Sequence, residues 1–318
     1  MNTPVKRWQS LLLWGGLTLA VVAVHLLGRA GLVSGYLLQI LQLIGINIML
    51  TASLNLVNGY LGEFAIGHAG FMAVGAYVSA LFTVKWHLPF PLALLAGAVA
   101  AGFFAWLVGI PAFTTFGDYL AIITLGFNMI VVNLINNIDY LGGPRGLPGL
   151  PRATNLLWVY ALTALSLLVL RNLVRSNYGR LWVAIRESDI AAELMGAEVR
   201  RLKLLALVIA GTIAGAAGAL WGHLLQYIHP RSFDYIKSTE MLVMVYLGGM
   251  GSLAGSVLGA TLYTALMEML RGLKEWRPVV GPLILILIML RMPRGLMGLR
   301  PPDLGRLLRP RREKGVAT

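Results

Sequence analysis

Apolar residues fill this chain in long blocks, each closed by a polar, charged or Gly/Pro-rich break. The blocks fall near 10–27, 34–57, 69–84, 89–110, 119–137, 155–173, 204–225, 240–250, 255–270 and 278–292. A bilayer core about 30 Å thick asks for roughly 20 apolar residues per helical span, and most blocks are of that order. The pattern predicts an all-α integral membrane protein of about ten transmembrane helices, forming a single transmembrane domain over 1–318. Lys6 and Arg7 precede a first block longer than the roughly 7 to 15 residues of a signal-peptide core, so that block reads as a retained first helix.

The stretch 240–270 is ambiguous, because Leu247–Gly–Gly–Met–Gly–Ser–Leu–Ala–Gly255 interrupts it. Charge arbitrates. If the stretch crosses twice, one side collects Lys6, Arg7, the seven Lys/Arg of 171–203 and the eight from Arg291 onward, leaving nine of 26 opposite; a single crossing leaves only twelve on that side. The positive-inside rule therefore favours ten crossings, with both termini, the loop 174–203 and the basic tail 293–318 in the cytoplasm. The first half of the pair is short, and a broken or re-entrant element stays open.

Composition agrees with the pattern. With 58% hydrophobic and 12% charged residues, there is too little polar surface to skin a soluble globule. The net charge of +13 fits basic cytoplasmic loops and needs no nucleic acid. Cysteine is absent, which removes disulfides, thiolate metal sites and cysteine nucleophiles. Five His and 13 Asp/Glu are scattered without an acid–base pair or a metal-binding spacing, so no catalytic residue, metal or cofactor is expected.

Polarity inside the blocks is concentrated. Asn47, Thr51, Asn55 and Asn58 recur at helical spacing and form one stripe, read either as hydrogen bonds between helices or as the lining of a translocation pathway. A glycine-rich bend follows, with Gly59, Gly62, Gly67, Gly70 and Gly75. An eight-residue repeat brings Gly67 and Gly75 to one face for close backbone approach, and Glu63 and His68 sit in the bend. Glu63 reads as a solvated carboxylate at the membrane boundary, and His68 lacks a second metal ligand. In the fifth block Thr124 and Asn128 share a face and join the candidate pathway, while Asn133, Asn136 and Asn137 gather at the outer end. The segment 139–151 has the Gly/Pro density of a folded turn system. Ala210, Ala214, Gly218 and Gly222, with Gly211 and Gly215 beside them, mark a helix built for tight packing, and Gly251, Gly255 and Gly259 repeat the device.

The loop 174–203 carries its own helix signal. Ser188 is placed to cap a short helix whose apolar side holds Ile190, Ala191, Leu194 and Met195; Glu187, Asp189 and Glu193 supply negative charge, Ala192 fills the turn between, and Gly196 ends it. A helix acidic at its centre suits a protein partner better than lipid headgroups.

Taken together, residues 59–77 with the Gly67–His–Ala–Gly–Phe core, Gly142–Gly–Pro–Arg–Gly–Leu–Pro–Gly–Leu–Pro151, the loop from Asn177 to Gly196, and 241–255 resemble the permease subunit of bacterial branched-chain amino-acid ABC importers, of the LivM type. The resemblance implies a type II-like importer permease in the bacterial inner membrane, working by alternating access. It also implies as partners a second related permease in a heterodimer, two cytoplasmic ABC ATPase subunits and a periplasmic or lipid-anchored amino-acid-binding protein. Ala191–Ala–Glu–Leu–Met–Gly196 matches the latter part of the EAAxxxG coupling motif of such permeases, making 188–196 the ATPase-coupling helix; the departure is Ile190 in place of Glu, with Asp189 one residue earlier. No GxxxxGK[ST] phosphate loop occurs, consistent with ATP bound elsewhere. Cargo is expected to be Leu, Ile, Val or a related apolar amino acid, with urea, short amides or other amino acids as rivals within the same fold. An ion-coupled secondary transporter would place ionisable groups at the midplane, where the confident blocks carry amides and hydroxyls instead.

Overall fold

A computed structural model describes residues 34–114, 119–291 and 295–297. The expected first span at 10–27 and most of the tail 293–318 lie outside the described residues. Within them the chain is helical: α1 (Gly35–Asn55), continued by a π-helical turn (Leu56–Leu61), then α2 (His68–Val84), α3 (Phe90–Ala112), α4 (Tyr119–Asn137), α5 (Leu156–Arg175), α6 (Asn177–Glu187), α7 (Asp189–Leu194), α8 (Val199–Leu225), α9 (Tyr235–Gly248), α10 (Leu253–Met269) and α11 (Arg277–Arg291). Among the described residues six helical stretches are long and apolar enough to cross a membrane: Gly35–Leu61, Phe90–Ala112, Tyr119–Asn137, Leu156–Arg175, Val199–Leu225 and Leu253–Gly272. α2, of 17 residues, is a shorter apolar helix.

Helix ends follow local chemistry. The Ser34 hydroxyl accepts from the Leu37 amide at the start of α1, and Pro91 occupies the first turn of α3, where a missing N–H costs nothing. α9 begins five residues before its apolar block because the Asp234 carboxylate accepts from the Tyr235 amide at 2.7 Å.

The helices α2, α3 and α8 form a core held by small residues. Gly75 lies against the Gly215 backbone, Gly97 against the Gly75 carbonyl, and Gly215 against Ala101 and Gly97; a methyl group at any of the three would overlap a neighbour. Lipid chains are as apolar as the helices, so close van der Waals approach is what drives helix association here. The repeat at Gly67 and Gly75 resolves differently from expectation. Gly67 caps α2 against Thr124 of α4, while Gly75 meets α8, so the two serve different neighbours.

α1 runs through the middle, packing on α5, α8, α9 and α10. Outer faces are apolar: Leu92, Leu95, Val99 and Phe103 on α3, with Ile122, Ile130 and Leu134 on α4, all stand exposed. An apolar exterior of this extent marks a surface that meets lipid or another membrane protein.

The ambiguous stretch folds back on itself. Gly248 packs against Gly255, and Gly259 against the Met244 carbonyl, so α9 and α10 form a tight antiparallel hairpin around the turn Gly249–Ser252. At 14 residues α9 is about 21 Å long at 1.5 Å per residue, less than a bilayer core. The segment 139–151 is a folded turn system, as its composition predicts: two 3-10 turns lead into Leu147–Pro148, which pairs antiparallel with Tyr227–Ile228.

Candidate functional site

The polar stripe of α1 is spent largely on the hairpin. Asn47 Nδ2 donates to Thr264 Oγ1 at 2.9 Å, and the Thr51 hydroxyl donates to Met244 Sδ at 3.3 Å. Asn55 makes three bonds: its Oδ1 accepts from the Gly251 amide at 2.9 Å, and its Nδ2 donates to Ser252 O at 3.0 Å and Ser256 Oγ at 2.7 Å. Of the two readings of the stripe, these contacts carry the interhelical one. Asn47 and Asn55 thus bond the hairpin and its turn, as polar groups between membrane helices commonly do.

Asn58 does something else. Its side chain bonds Ala65 twice, Nδ2 to the carbonyl and Oδ1 from the amide, both at 3.3 Å, and so closes the glycine-rich bend across seven residues. The chain leaves the π-helical turn through Gly62 at φ 85°, a left-handed conformation, where a Cβ would strike the Arg186 side chain. His68, fully enclosed, shares a 2.8 Å hydrogen bond between its Nε2 and the Ser53 hydroxyl; its role is packing α2 onto α1.

The fifth block divides. Thr124 accepts from the Ile66 and Gly67 amides at 3.2 and 3.3 Å and anchors the bend to α4. Asn128, one turn further on, is fully buried, and neither its Oδ1 nor its Nδ2 finds a hydrogen-bond partner among the described residues. Of the six candidate pathway residues, Asn128 alone keeps its whole amide unspent.

The loop between α5 and α8 is a folded unit. α6, which apolar blocks alone do not reveal, buries Trp182 completely, and its indole N–H donates to Leu202 O at 2.9 Å. Ser188 ends α6 and caps α7, its hydroxyl accepting from the Ala191 amide at 3.2 Å, and Gly196 follows the helix at φ 87°. α7 then presents Ile190, Leu194 and Met195 at 73%, 83% and 88% exposure, while Ala192 on its opposite side is buried. Ile190 and Leu194 on this short helix and Met195 at its C-cap thus form a small exposed apolar face.

Glu63 is where the sequence reading needs correction. Rather than standing in solvent, its side chain is 17% exposed and ion-paired with Lys203, whose own side chain is 10% exposed. Lys203 also donates to Asp189 at 2.5 Å. Removing charges from water is costly unless they are paired, so the enclosed Lys203 and Glu63 hold each other, and Asp189, half exposed, adds a second carboxylate from the solvent side. Nearby, Arg186 Nη1 donates to the Gly59 carbonyl at 2.9 Å. The loop is thus fastened to the bend by both a partly buried charge cluster and a backbone contact.

Comparison with known proteins decides the family: residues 36–292 match the model described as the branched-chain amino acid transport system / permease component. The chain belongs to that family. It is 34% identical to the high-affinity branched-chain amino acid transport system permease protein LivM of Escherichia coli K12, over 93% of this chain and 76% of that protein. It is 31% identical to LivH of the same organism's high-affinity system over 44% of this chain and 46% of LivH. A probable branched-chain amino acid transport permease LivH of Methanocaldococcus jannaschii is 24% identical over 85% and 92% of the two chains. No solved structure matches. The chain is therefore a multi-pass membrane permease component, related to two proteins that are each named as permeases of one transport system. Within that family, Lys203 and Arg186 are the functional candidates that residue spacing missed. The one available signal was a lysine set directly before the apolar block 204–225.

Proposed function

We propose that this chain is a permease subunit of an ATP-driven importer of branched-chain amino acids, paired with a second related permease, two cytoplasmic ABC ATPase subunits and an extracytoplasmic binding protein. The observation that carries the reading is the exposed apolar face of α7 on a loop anchored at Trp182, Arg186 and Lys203. A surface that transmits force has to be both available to the partner and stiffly joined to the membrane helices, and α7 meets both conditions. The names of the LivM and LivH relatives supply the cargo class. Two related permeases named within one system support the pairing.

On this reading residues 1–318 form one permease domain in the bacterial inner membrane, with 174–203 as the coupling loop. Ten crossings place both termini and the basic tail 293–318 on the cytoplasmic side, in line with the positive charge on the loop. The hairpin α9–α10 contributes the short crossing, and Gly-lined packing lets its first helix be brief without exposing backbone to lipid. Asn128 is the pathway residue we single out, because a buried amide that bonds none of the described residues stands ready for a passing polar group or water.

The test is docking. The double variant Ile190→Asp, Leu194→Asp in the assembled complex is expected to shed the ATPase subunits on affinity purification and to lose leucine uptake. Full recovery of the ATPase subunits with normal uptake would refute the assignment of α7.

A further inference from the structure

An unbroken chain of contacts runs from the exposed helix α7 to the turn of the α9–α10 hairpin. Asp189, the first residue of α7, accepts from Lys203, and the same ammonium is paired with Glu63 at the exit of the π-helical turn. One residue before the Ser188 cap, Glu187 lies exposed beside Arg186, whose guanidinium holds the Gly59 carbonyl within the π-helical turn. Gly59 in turn backs onto the Gly251 amide, and Asn55 grips Gly251 and Ser252 from the last residue of α1. Both routes from the loop therefore converge on Leu56–Leu61 and leave it at the hairpin turn.

The chemistry of each link favours transmission. A lysine ammonium is a compact charge with three donors, so one group serves two carboxylates at once. Glu63, 17% exposed, is held to it because an unpaired charge there would be left largely out of water, while Asp189, half exposed, reaches it from the solvent side. The π-helical turn between the two ends is the compliant part: π-helical turns are rare, their backbone bonds span five residues, and they recur at functional sites. A shift of one residue between π and α registers would slide the bend relative to α1, a discrete rearrangement of the kind that amplifies small displacements.

We infer that Lys203 is a positioning residue that carries displacement of α7 to the hairpin turn through Glu63 and the π-helical turn, touching neither the ATPase nor the cargo. The inference rests on the coupling reading above. It also accounts for the departure from the EAAxxxG pattern: Asp189 stands one position before the expected Glu and bonds Lys203, and Ile190 is left facing out.

The experiment uses the complete importer in proteoliposomes, with ATP hydrolysis and leucine import measured on the same preparation. Glu63→Gln leaves the Lys203–Asp189 pair and the whole of α7 intact. It is expected to retain the ATPase subunits and to hydrolyse ATP, while leucine imported per ATP falls about fivefold or more, the lower range of coupling between distant sites. Lys203→Met should show the same loss, and Lys203→Arg should keep most of the wild-type ratio. An unchanged ratio in Glu63→Gln would overturn the inference. So would loss of the ATPase subunits in that variant, which would make the cluster a simple clasp for the loop. Failure of the docking reading is separately visible, since it would appear as ATPase subunits retained by the Ile190→Asp, Leu194→Asp variant whatever the ratio in Glu63→Gln.

Discussion

The packing of α2, α3 and α8 and the seam between α1 and the α9–α10 hairpin solve the same problem with opposite means. In the first, Gly75, Gly97 and Gly215 bring backbones into direct contact. In the second, Asn47, Thr51 and Asn55 reach across to Thr264, Met244 and the Gly251–Ser256 segment. Close packing of small residues has one arrangement, and any slip opens a void or a clash. Hydrogen bonds from amides can be exchanged for others nearby. The loop carrying α7 is joined to the second kind of region, at Gly59 and Glu63, and on the proposed coupling that is the region that moves.

The comparison predicts a graded series of effects. Gly215→Leu should be the most damaging, because the added side chain meets Ala101 and the Gly97 carbonyl. We expect about 3 kcal/mol or more of destabilisation, read as loss of membrane-inserted protein and a large drop in melting temperature in detergent. Asn55→Leu comes next, removing three hydrogen bonds and stranding the Gly251 amide, at a cost of about 2 kcal/mol, and it should also lower import. Asn47→Leu breaks a single bond to Thr264, for which roughly 0.6 kcal/mol is typical between membrane helices. Asn128→Leu is the smallest in stability and the most informative. Replacing an amide that bonds none of the described residues should leave melting unchanged or raised, while leucine import falls several-fold. Equal loss of stability in Asn47→Leu and Gly215→Leu would erase the distinction between the two regions.

Much of this was legible along the chain. The apolar blocks locate nine of the described helices, from 34–57 to 278–292, with ends displaced by up to five residues where a cap such as Asp234 or an amphipathic start such as Val199–Lys203 extends the helix beyond its apolar part. The short helix after Ser188 was readable because its cap, apolar side and terminating glycine all lie within nine residues. What was not readable depends on contacts remote in sequence. Glu63 reads as a surface carboxylate until Lys203 is brought beside it, and the stripe at Asn47–Asn55 leaves its partner undecided until the hairpin folds over it. α6 carries too many charges for an apolar block, and it earns its helix by burying Trp182 and Ile185 against the bundle. The π-helical turn has no compositional mark at all.

The absence of cysteine from the chain makes the central claim directly testable. Leu194→Cys places a single thiol on the exposed face of α7, where a short bifunctional reagent can capture whatever protein lies against it. In the assembled, transport-competent complex one dominant adduct is expected, with the ATPase subunit, lost when the ATPase subunits are stripped away. A complex that imports leucine normally yet gives no ATPase adduct from Leu194→Cys would contradict it.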